Sequence, residues 1–294
     1  MSLNSAEKNS DSNIKVRHIL NISGGKDSSA LAIYMRDRDK WRERLGKPIK
    51  SPAERIEFEY VFCDTQEELK ETYEYLDKLE AYLGKKIVRL APERDFKHWL
   101  EVHGHFLPSP RMRWCTVQLK IKPFEKYVGD DLIYSYVGIR GDEDREGYIS
   151  SKTNITPIFP FKEDGIDKND VFRILEESGA GLPEYYKWRT RSGCYFCFFQ
   201  RKAEWVGLME NHPELFEKAK AFEKVDGTTT RFTWTEGESL EELTNPQRVA
   251  QIKANHEKAM LAEKKSRPNR PLVDILNEVL DDEDDSQACN ICHL

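Results

Sequence analysis

The sequence lacks any apolar stretch approaching the roughly 20 residues that a bilayer-spanning helix needs, which argues against a membrane protein. Its first residues, MSLNSAEKNSDSN, also lack the apolar core of a secretory signal peptide or a membrane anchor. We therefore expect a cytoplasmic protein with no membrane partner, in a compartment where thiols stay reduced. Aromatic residues are plentiful: 14 Phe, 12 Tyr and 6 Trp among 294 residues can supply a hydrophobic core, so global disorder is not expected.

Positive charge is in slight deficit, with 46 Lys and Arg against 52 Asp and Glu and a formal net charge of −6. Five of the acidic residues form one run at 281–285, and without that run the net charge is −1. The acidity therefore belongs largely to the tail and does not exclude a nucleic-acid partner, because local patches decide such binding. One basic patch, with a local charge of +4, spans residues 111–126 and comprises Arg111, Arg113, Lys120, Lys122 and Lys126 with Glu125.

The spacing of apolar residues predicts an α/β fold. Strands are predicted at 18–22, 56–62, 86–90 and 134–139. Helices are predicted between them, chiefly at 28–44 and 67–83. Strands that alternate with helix-length segments form parallel βαβ units, so the predicted fold class is α/β with a doubly wound, mostly parallel sheet.

The predicted organisation has four parts. The pattern becomes mainly helical after about residue 160, with helices expected at 170–177, 204–209, 214–224 and across most of 245–280. The four parts are a disordered polar arm, an α/β domain, a mainly helical cysteine-containing region and an acidic tail, at residues 1–14, 15–160, 161–280 and 281–294.

The string SGGKDS, residues 23–28, lies between the first predicted strand and the first predicted helix. Its glycines can bring backbone N–H groups close to a phosphate, and the N-terminal dipole of the helix favours an anion. Lys26 adds a positive charge, and Asp27 or Ser28 can cap the helix. The string is not a Walker loop, because the spacing before Gly-Lys-Ser/Thr is absent. The alternative interpretation is a strand–turn–helix connection that binds no ligand.

The same string resembles the pyrophosphate loop of the N-type ATP pyrophosphatases, the PP-loop superfamily. Four further segments resemble its phosphoadenylyl-sulfate (PAPS) reductase-like family, in family order: CDTQEE at 63–68, RWCTVQLKIKP at 113–123, GIRGDEDR at 138–145 and RSGCYFC at 191–197. Asp144 stands where that family usually has Ser. The resemblance implies the adenine nucleotide alpha hydrolase-like fold and cleavage of ATP between its α and β phosphates, with Mg²⁺ bridging the phosphates.

The resemblance also implies roles for individual residues. Those implied to bind the nucleotide and its phosphates are Ser23, Gly24, Gly25, Lys26, Asp27, Ser28, Asp64, Arg113, Lys120 and Gly138. Those implied to act in catalysis, by positioning and charge neutralisation, are Lys26, Asp27, Ser28, Arg140 and Arg145. Asp64 follows a strand at the edge where open α/β sheets bind ligands, and it is expected near the ribose or the metal. Its alternative interpretation is a helix cap.

Six cysteines include two Cys-x-x-Cys pairs, Cys194/Cys197 and Cys289/Cys292. A reducing compartment disfavours disulfides, whereas a Cys-x-x-Cys turn can place two thiolates on one metal ion. Aromatic and basic residues around the first pair can shield such a centre and offset its charge. Cys115 lies in a family-like segment and is expected to be the third ligand. The fourth ligand stays open: it is Cys289 or Cys292, or the site has only three cysteine ligands, as in some relatives that the resemblance includes.

Relatives that transfer sulfur imply a [4Fe–4S] cluster at these cysteines. A zinc site built from the two Cys-x-x-Cys pairs, and no metal at all, are the alternatives. Cys63 is expected to be a small apolar core residue at a strand end. The tail pair is interpreted either as a carrier of persulfide sulfur or as incidental.

Two motifs of the sulfate-reducing members of the family are absent, which argues against that function. The sequence contains neither the Glu-Cys-Gly-x-His tail of sulfite-releasing reductases nor the adjacent Cys-Cys pairs of the cluster-containing adenylyl-sulfate branch. The family member it most resembles is the ATPase component of bacterial DNA phosphorothioation systems, the DndC/SspD type, which acts in phage defence. That resemblance implies that ATP adenylates a backbone phosphate oxygen and that sulfur displaces AMP. The implied partners are DNA, a cysteine desulfurase as sulfur donor and other modification-system proteins.

Three alternative functions remain open from the sequence. The first is a PAPS or adenylyl-sulfate reductase, which would release sulfite. The second is a tRNA thiolation enzyme, which would share the adenylation chemistry but take RNA as its substrate. The third is a non-catalytic module that binds a nucleotide without cleaving it.

Overall fold

The structure is a computed structural model of the chain, and it describes residues 14–49, 52–144, 152–225 and 231–265. Most of the predicted N-terminal arm and the whole acidic tail lie outside these residues. So do the last part of the predicted 245–280 helical stretch and three of the candidate site residues, Arg145, Cys289 and Cys292.

A five-stranded parallel sheet forms the centre of the fold. Its strands are β1 (Val16–Asn21), β2 (Phe58–Cys63), β3 (Ile87–Leu90), β4 (Leu132–Tyr136) and β5 (Ile155–Ile158), in the spatial order β3-β2-β1-β4-β5. Every pairing is parallel; Leu20 of β1, for example, lies opposite Tyr60 of β2 and Tyr136 of β4. The prediction of a doubly wound parallel sheet is therefore confirmed.

The strand order places a switch point between β1 and β4. The chain moves from β1 outward to β2 and β3, and then returns to build β4 and β5 on the other side of β1. The connections that leave the carboxyl ends of β1 and β4 therefore diverge, and they leave a crevice between them. Open α/β sheets bind ligands at such a crevice.

Both faces of the sheet are covered, which is the usual arrangement for parallel strands. Because side chains alternate along a strand, Leu20 joins the core cluster on one face and Ile19 joins the cluster on the other. The first face packs against α1 (Lys26–Arg36), α3 (Lys70–Leu83) and α8 (Lys168–Glu177). The second face packs against α6 (Lys122–Val128).

The prediction of a single helix at 28–44 is wrong in one respect, because the structure has two helices in this region. The backbone leaves the helical region at Asp37 (φ −150°, ψ 66°), and α2 (Arg38–Leu45) continues in a new direction. Asp164, at the end of α7 (Pro160–Asp164), accepts hydrogen bonds from Tyr34, Arg38 and Arg42. This buried network ties both helices to α7.

The C-terminal region is mainly helical, as predicted. Its helices are α9 (Lys202–Asn211), α10 (Pro213–Phe222), α11 (Leu240–Leu243) and α12 (Pro246–Lys265), beside the short antiparallel strands β6 (Lys224–Val225) and β7 (Arg231–Phe232). An aromatic core joins this region to α4 (Phe96–Val102) and α5 (Trp114–Thr116). Among the described helices, none combines the length and the apolar character that crossing a membrane requires.

Candidate active site

The SGGKDS loop lies at the carboxyl end of β1 and leads directly into α1. Gly24 has a φ of +73°, a conformation that side-chain-bearing residues rarely adopt, and an added Cβ would lie 2.7 Å from the Thr72 methyl carbon. A Cβ on Gly25 would lie 2.6 Å from the Ser192 hydroxyl oxygen. The backbone conformation therefore favours glycine at position 24, and at position 25 a larger residue would have to displace the Ser192 side chain.

Ser28 supports the loop from beneath. Its side chain is fully buried, and its Oγ accepts a hydrogen bond from the Ser23 N–H at 3.0 Å and donates to the Gly25 carbonyl at 3.3 Å. Gly25 is the N-cap of α1 and no side chain caps the helix, so the expectation that Asp27 or Ser28 does so is wrong. Ser28 is placed to shape the loop.

A compact ionic cluster lies beside the loop, in the crevice between β1 and β4. Asp27 is buried and bonds the Lys26 ammonium at 2.8 Å and the Arg140 guanidinium at 2.9 Å. Asp142 and Glu143 also bond Arg140. Burial alone would lower the pKa of Arg140, but these carboxylates outweigh it and raise the pKa above its ordinary value. Arg140 therefore carries a fixed positive charge next to the loop.

Gly138 brings the β4 connection into contact with α1. A Cβ at this position would lie 3.0 Å from the carbonyl carbon and oxygen of Asp27, and these backbone atoms cannot easily move. The strand predicted at 134–139 lies further towards the N-terminus, because β4 spans Leu132–Tyr136 and Gly138 belongs to the connection. Close backbone packing at Gly138 is what allows Arg140 to reach Asp27.

Two tyrosines that the sequence reasoning did not identify also contact the loop. The Tyr185 hydroxyl donates to the Gly24 carbonyl at 2.8 Å, and the Tyr186 hydroxyl oxygen accepts from the Lys26 N–H at 2.9 Å. Burial raises the pKa of Tyr186, so its hydroxyl stays protonated at neutral pH. No local pattern marks these residues, because they lie about 160 positions from the loop.

Asp64 lies at the carboxyl end of β2, where it was expected. Its carboxylate accepts hydrogen bonds from the Gln66 N–H at 2.8 Å and from the Tyr73 hydroxyl at 2.7 Å. The N-cap of the following helix, α3, is Leu69, so the alternative interpretation of Asp64 as a helix cap is wrong. Its two bonds hold the carboxylate in a defined orientation at the ligand-binding edge of the sheet.

Three of the candidate cysteines line one pocket. Cys115, Cys194 and Cys197 contribute to a cavity with an empty volume of about 440 Å³. The remaining lining is mostly apolar and consists of Thr65, Pro108, Thr116, Leu119, Lys120, Gly193, Phe196, Phe198 and Phe199. The topology thus brings together two cysteine segments that are almost 80 residues apart in the sequence.

Cys194 contacts two polar residues from the β2–α3 connection. Its sulfur lies 3.1 Å from the Thr65 hydroxyl and 3.8 Å from the Glu68 carboxylate. Burial, and secondly the Glu68 charge, raise the pKa of the Cys194 thiol well above its ordinary value. Burial likewise raises the pKa of Glu68. These two groups form a buried polar pair on the wall of the cysteine pocket.

The fit of this pocket to a metal cluster is incomplete in the described residues. It supplies three sulfur donors and an apolar, aromatic lining, which is the chemistry that iron–sulfur and zinc sites use. Within the described part of the chain, however, no three His, Cys, Asp or Glu side chains are grouped closely enough to hold a metal ion. The candidate fourth ligands, Cys289 and Cys292, lie outside the described residues. We therefore derive no chemical step through a cluster.

Cys63 does not belong to the pocket. It is the last residue of β2 and is buried in the core cluster beneath α6, as expected for a small apolar residue. Burial raises the pKa of its thiol to about 12, so it stays protonated at neutral pH. A thiol in that state is a poor nucleophile and a poor metal ligand.

Two of the predicted anion-binding residues lie at the cysteine pocket. Lys120 contributes to its lining, and Arg113 places its guanidinium 5.3 Å from the ring centre of the pocket residue Phe199. Arg191 lies 6.0 Å from the same ring. Neither arginine forms an ion pair with a described carboxylate, so both can contact an anion at the pocket.

Relatives of this chain are themselves described as uncharacterised. One protein of Methanocaldococcus jannaschii is 29% identical over 224 residues, covering 72% of this chain and 42% of that protein. A second from the same organism is 28% identical, covering 67% and 45%. A 37.8 kDa protein of Escherichia phage 186 is 24% identical, covering 73% and 76%. The chain thus spans less than half the length of the two Methanocaldococcus proteins.

The comparison with solved structures returns a PAPS reductase from Candida auris in a phosphate complex. The match has a TM-score of 0.43 and 14% sequence identity, and it covers 60% of this chain and 81% of that one. The family model for the phosphoadenosine phosphosulfate reductase domain matches residues 17–164, half of the chain. These residues include β1 to β5, the SGGKDS loop and Arg140. The chain therefore belongs to the phosphoadenosine phosphosulfate reductase family.

Proposed function

We propose that this protein is an ATP pyrophosphatase that adenylates a nucleic-acid backbone oxygen for replacement by sulfur, and that its reaction is DNA phosphorothioate modification. One observation carries the proposal. A single chain segment, residues 185–197, contacts both the SGGKDS loop, here called the phosphate loop, and the three-cysteine pocket. A reaction that first activates an oxygen and then delivers sulfur needs these two sites close to each other.

The loop supports the first half of this chemistry. A backbone phosphate oxygen would attack the α phosphorus of ATP, the bond to the β phosphate would break, and pyrophosphate would leave. The amides at the start of α1, with Lys26 and Arg140, are placed to bind the phosphates and the departing charge. Mg²⁺, when bound, would neutralise part of the phosphate charge.

The cysteine pocket supports the second half. Hydrosulfide, released from a desulfurase persulfide by a thiol reductant that becomes a disulfide, would attack the adenylated phosphorus and AMP would leave, so that one oxygen is exchanged for one sulfur. Arg113 and Arg191, which both lie close to the Phe199 ring, are suited to an anionic backbone because neither is neutralised by a described carboxylate. A cysteine desulfurase would supply the sulfur in the cytoplasm, together with other proteins of the modification system.

The test of this function is release of pyrophosphate and AMP from ATP and Mg²⁺, measured with and without DNA. We expect DNA to raise the rate by roughly tenfold or more, because it supplies the oxygen that the loop positions for attack. Stimulation by tRNA instead would indicate a tRNA thiolation enzyme. Recovery of intact ATP from a saturated complex would indicate a non-catalytic module. No release from protein with its metal site filled would refute the proposal.

A second candidate function is reduction of PAPS or adenylyl sulfate, and the family match over residues 17–164 is the observation that favours it. The chain lacks the Glu-Cys-Gly-x-His string that this reaction uses in sulfite-releasing relatives. Formation of sulfite in the presence of thioredoxin would support this second function over the first.

We further propose that Cys115, Cys194 and Cys197, with Cys289 or Cys292, hold a [4Fe–4S] cluster. Anaerobically purified protein is then expected to show a broad visible absorption band that Cys194→Ser removes, because the variant loses one sulfur ligand. Cys63→Ala is the matched control, since Cys63 is a buried thiol outside the pocket and its loss should leave the band unchanged. A colourless protein that binds stoichiometric zinc would instead support the zinc alternative.

A further inference from the structure

The segment 185–194, here called the bridging segment, contacts three consecutive residues of the phosphate loop, two of them through hydrogen bonds. The Ser192 hydroxyl donates to the Ser23 hydroxyl at 3.1 Å, and the Tyr185 hydroxyl donates to the Gly24 carbonyl. The Ser192 side chain also lies where a Cβ on Gly25 would be. The loop therefore cannot change shape without affecting the bridging segment.

The other end of the bridging segment is fixed at the cysteine pocket. Arg189 is 1% exposed, and its guanidinium donates to the Gly193 carbonyl at 3.0 Å and to the Cys194 carbonyl at 2.9 Å. The next residue, Tyr195, donates its N–H to the Glu67 carbonyl at 2.9 Å. The ten residues of the bridging segment thus connect a contact at the loop with the backbone of a pocket cysteine.

The hydrogen bond between Lys26 and Tyr186 uses the Lys26 N–H, the same donor that a bound phosphate would need. Lys26 is the first residue of α1, and amides at a helix N-terminus are the donors that bind phosphate oxygens. The Tyr186 hydroxyl oxygen lies 2.9 Å from this amide nitrogen, which is the distance a bound phosphate oxygen would take. The hydroxyl and a phosphate therefore compete for one donor, and the charged oxygen forms the stronger bond.

We propose that Tyr186 is a positioning residue that couples nucleotide binding at the loop to the cysteine pocket. A phosphate oxygen of the nucleotide replaces the Tyr186 hydroxyl at the Lys26 amide, and the displaced tyrosine moves the bridging segment and the backbone of Cys194. Adenylation at the loop and sulfur chemistry at the pocket are thereby ordered in time. This inference rests on the proposed function, since it takes a nucleoside triphosphate as the ligand of the loop.

The experiment compares wild-type protein with Tyr186→Phe, which keeps the ring and removes the competing hydroxyl. Binding of Mg²⁺ with α,β-methylene-ATP, which cannot be cleaved between its α and β phosphates, is measured by calorimetry, with adenosine as the phosphate-free ligand. We expect Tyr186→Phe to tighten binding of the triphosphate by about fivefold, the equivalent of one ordinary hydrogen bond. Adenosine affinity should not change.

Hydrogen–deuterium exchange measured on the same samples reports the coupling. In wild-type protein the triphosphate is expected to change exchange across residues 185–194, and in Tyr186→Phe that response should be lost although the ligand binds. Tyr185→Phe is the neighbouring control, because it leaves the Lys26–Tyr186 bond in place and should not tighten binding. Tyr127→Phe removes a partly buried hydroxyl that donates to Glu59, and it controls for loss of a hydrogen-bonded tyrosine hydroxyl away from the loop.

The outcomes separate this inference from the function on which it rests. If wild-type protein binds the triphosphate and exchange in the bridging segment stays unchanged, the coupling is refuted and the proposed function stands. Unchanged triphosphate affinity in a folded Tyr186→Phe variant would refute the competition. If Tyr186→Phe does not fold, the exchange response of the wild-type protein to the triphosphate decides whether the loop and the bridging segment are coupled. Failure of wild-type protein to bind any nucleotide would refute both proposals.

Discussion

Arg140→Ala is expected to lower the rate of pyrophosphate release from ATP by about a hundredfold or more, the typical cost of removing one preorganised charged group at a reacting phosphate. Arg140 is positioned by Asp27, Asp142 and Glu143, and its side chain is only 13% exposed. The alanine variant loses the fixed positive charge beside the loop and removes one cationic partner of Asp27, which keeps its bond to the Lys26 ammonium. The measurement is the rate at saturating ATP.

Two variants control for indirect effects of this change. Arg173→Ala removes an arginine of α8 that pairs with Glu177 and is about half exposed, so it should keep the wild-type rate. Arg140→Lys keeps the charge but not the forked geometry that reaches three carboxylates, and we expect an intermediate loss of roughly tenfold. A melting temperature near that of the wild type shows that a slow variant is folded. A rate within threefold of wild type for Arg140→Ala would contradict the assigned role.

Phe96→Ala is expected to reduce the free energy of unfolding by about 3–5 kcal/mol, the usual cost of deleting a fully buried aromatic ring. Phe96 has no exposed surface. Its ring lies 4.1 Å from that of Phe196, 5.1 Å from that of Trp114 and 6.2 Å from that of Trp234, measured between centroids. Removal of the ring leaves a cavity where α4, α5 and the C-terminal region meet. Urea unfolding measures the effect.

The matched control for this variant is Val102→Ala on the same helix. Val102 is 59% exposed, so the change should cost less than about 0.5 kcal/mol. Phe196 lies between Cys194 and Cys197 in the sequence and lines the cysteine pocket. Because the Phe96 ring packs against Phe196, the cavity left by Phe96→Ala would adjoin that pocket. A loss below 1 kcal/mol for Phe96→Ala would mean that the aromatic cluster closes around the gap.

The central sheet was predictable because its inner strands are apolar and its helices carry apolar residues at regular spacing. β5 was not predicted. It is four residues long, contains Pro157 and has only one fully buried side chain, so its sequence does not stand out from that of a loop. The break between α1 and α2 also left no signal, because it depends on the contact with Asp164, more than a hundred residues later.

The candidate site was predictable to the extent that it is local. The SGGKDS loop and Arg140 were identified from short strings, and the strand order then places them together. Short strings could not identify Tyr185, Tyr186 and Ser192, because these residues lie roughly 160 to 170 positions from the loop in the sequence. Lys120 and Arg113 were expected at the phosphates; Lys120 lines the cysteine pocket, and Arg113 lies beside the pocket residue Phe199. Their charge was readable from the sequence, but their location was not.

The boundary of the family match has a consequence for how such proteins diverge. The match ends at residue 164, yet a loop carbonyl and a loop amide are bonded by Tyr185 and Tyr186, which lie beyond it. The two parts of the chain are therefore not interchangeable modules. A C-terminal part acquired by recombination from another member would have to bring hydroxyl groups to the same two places.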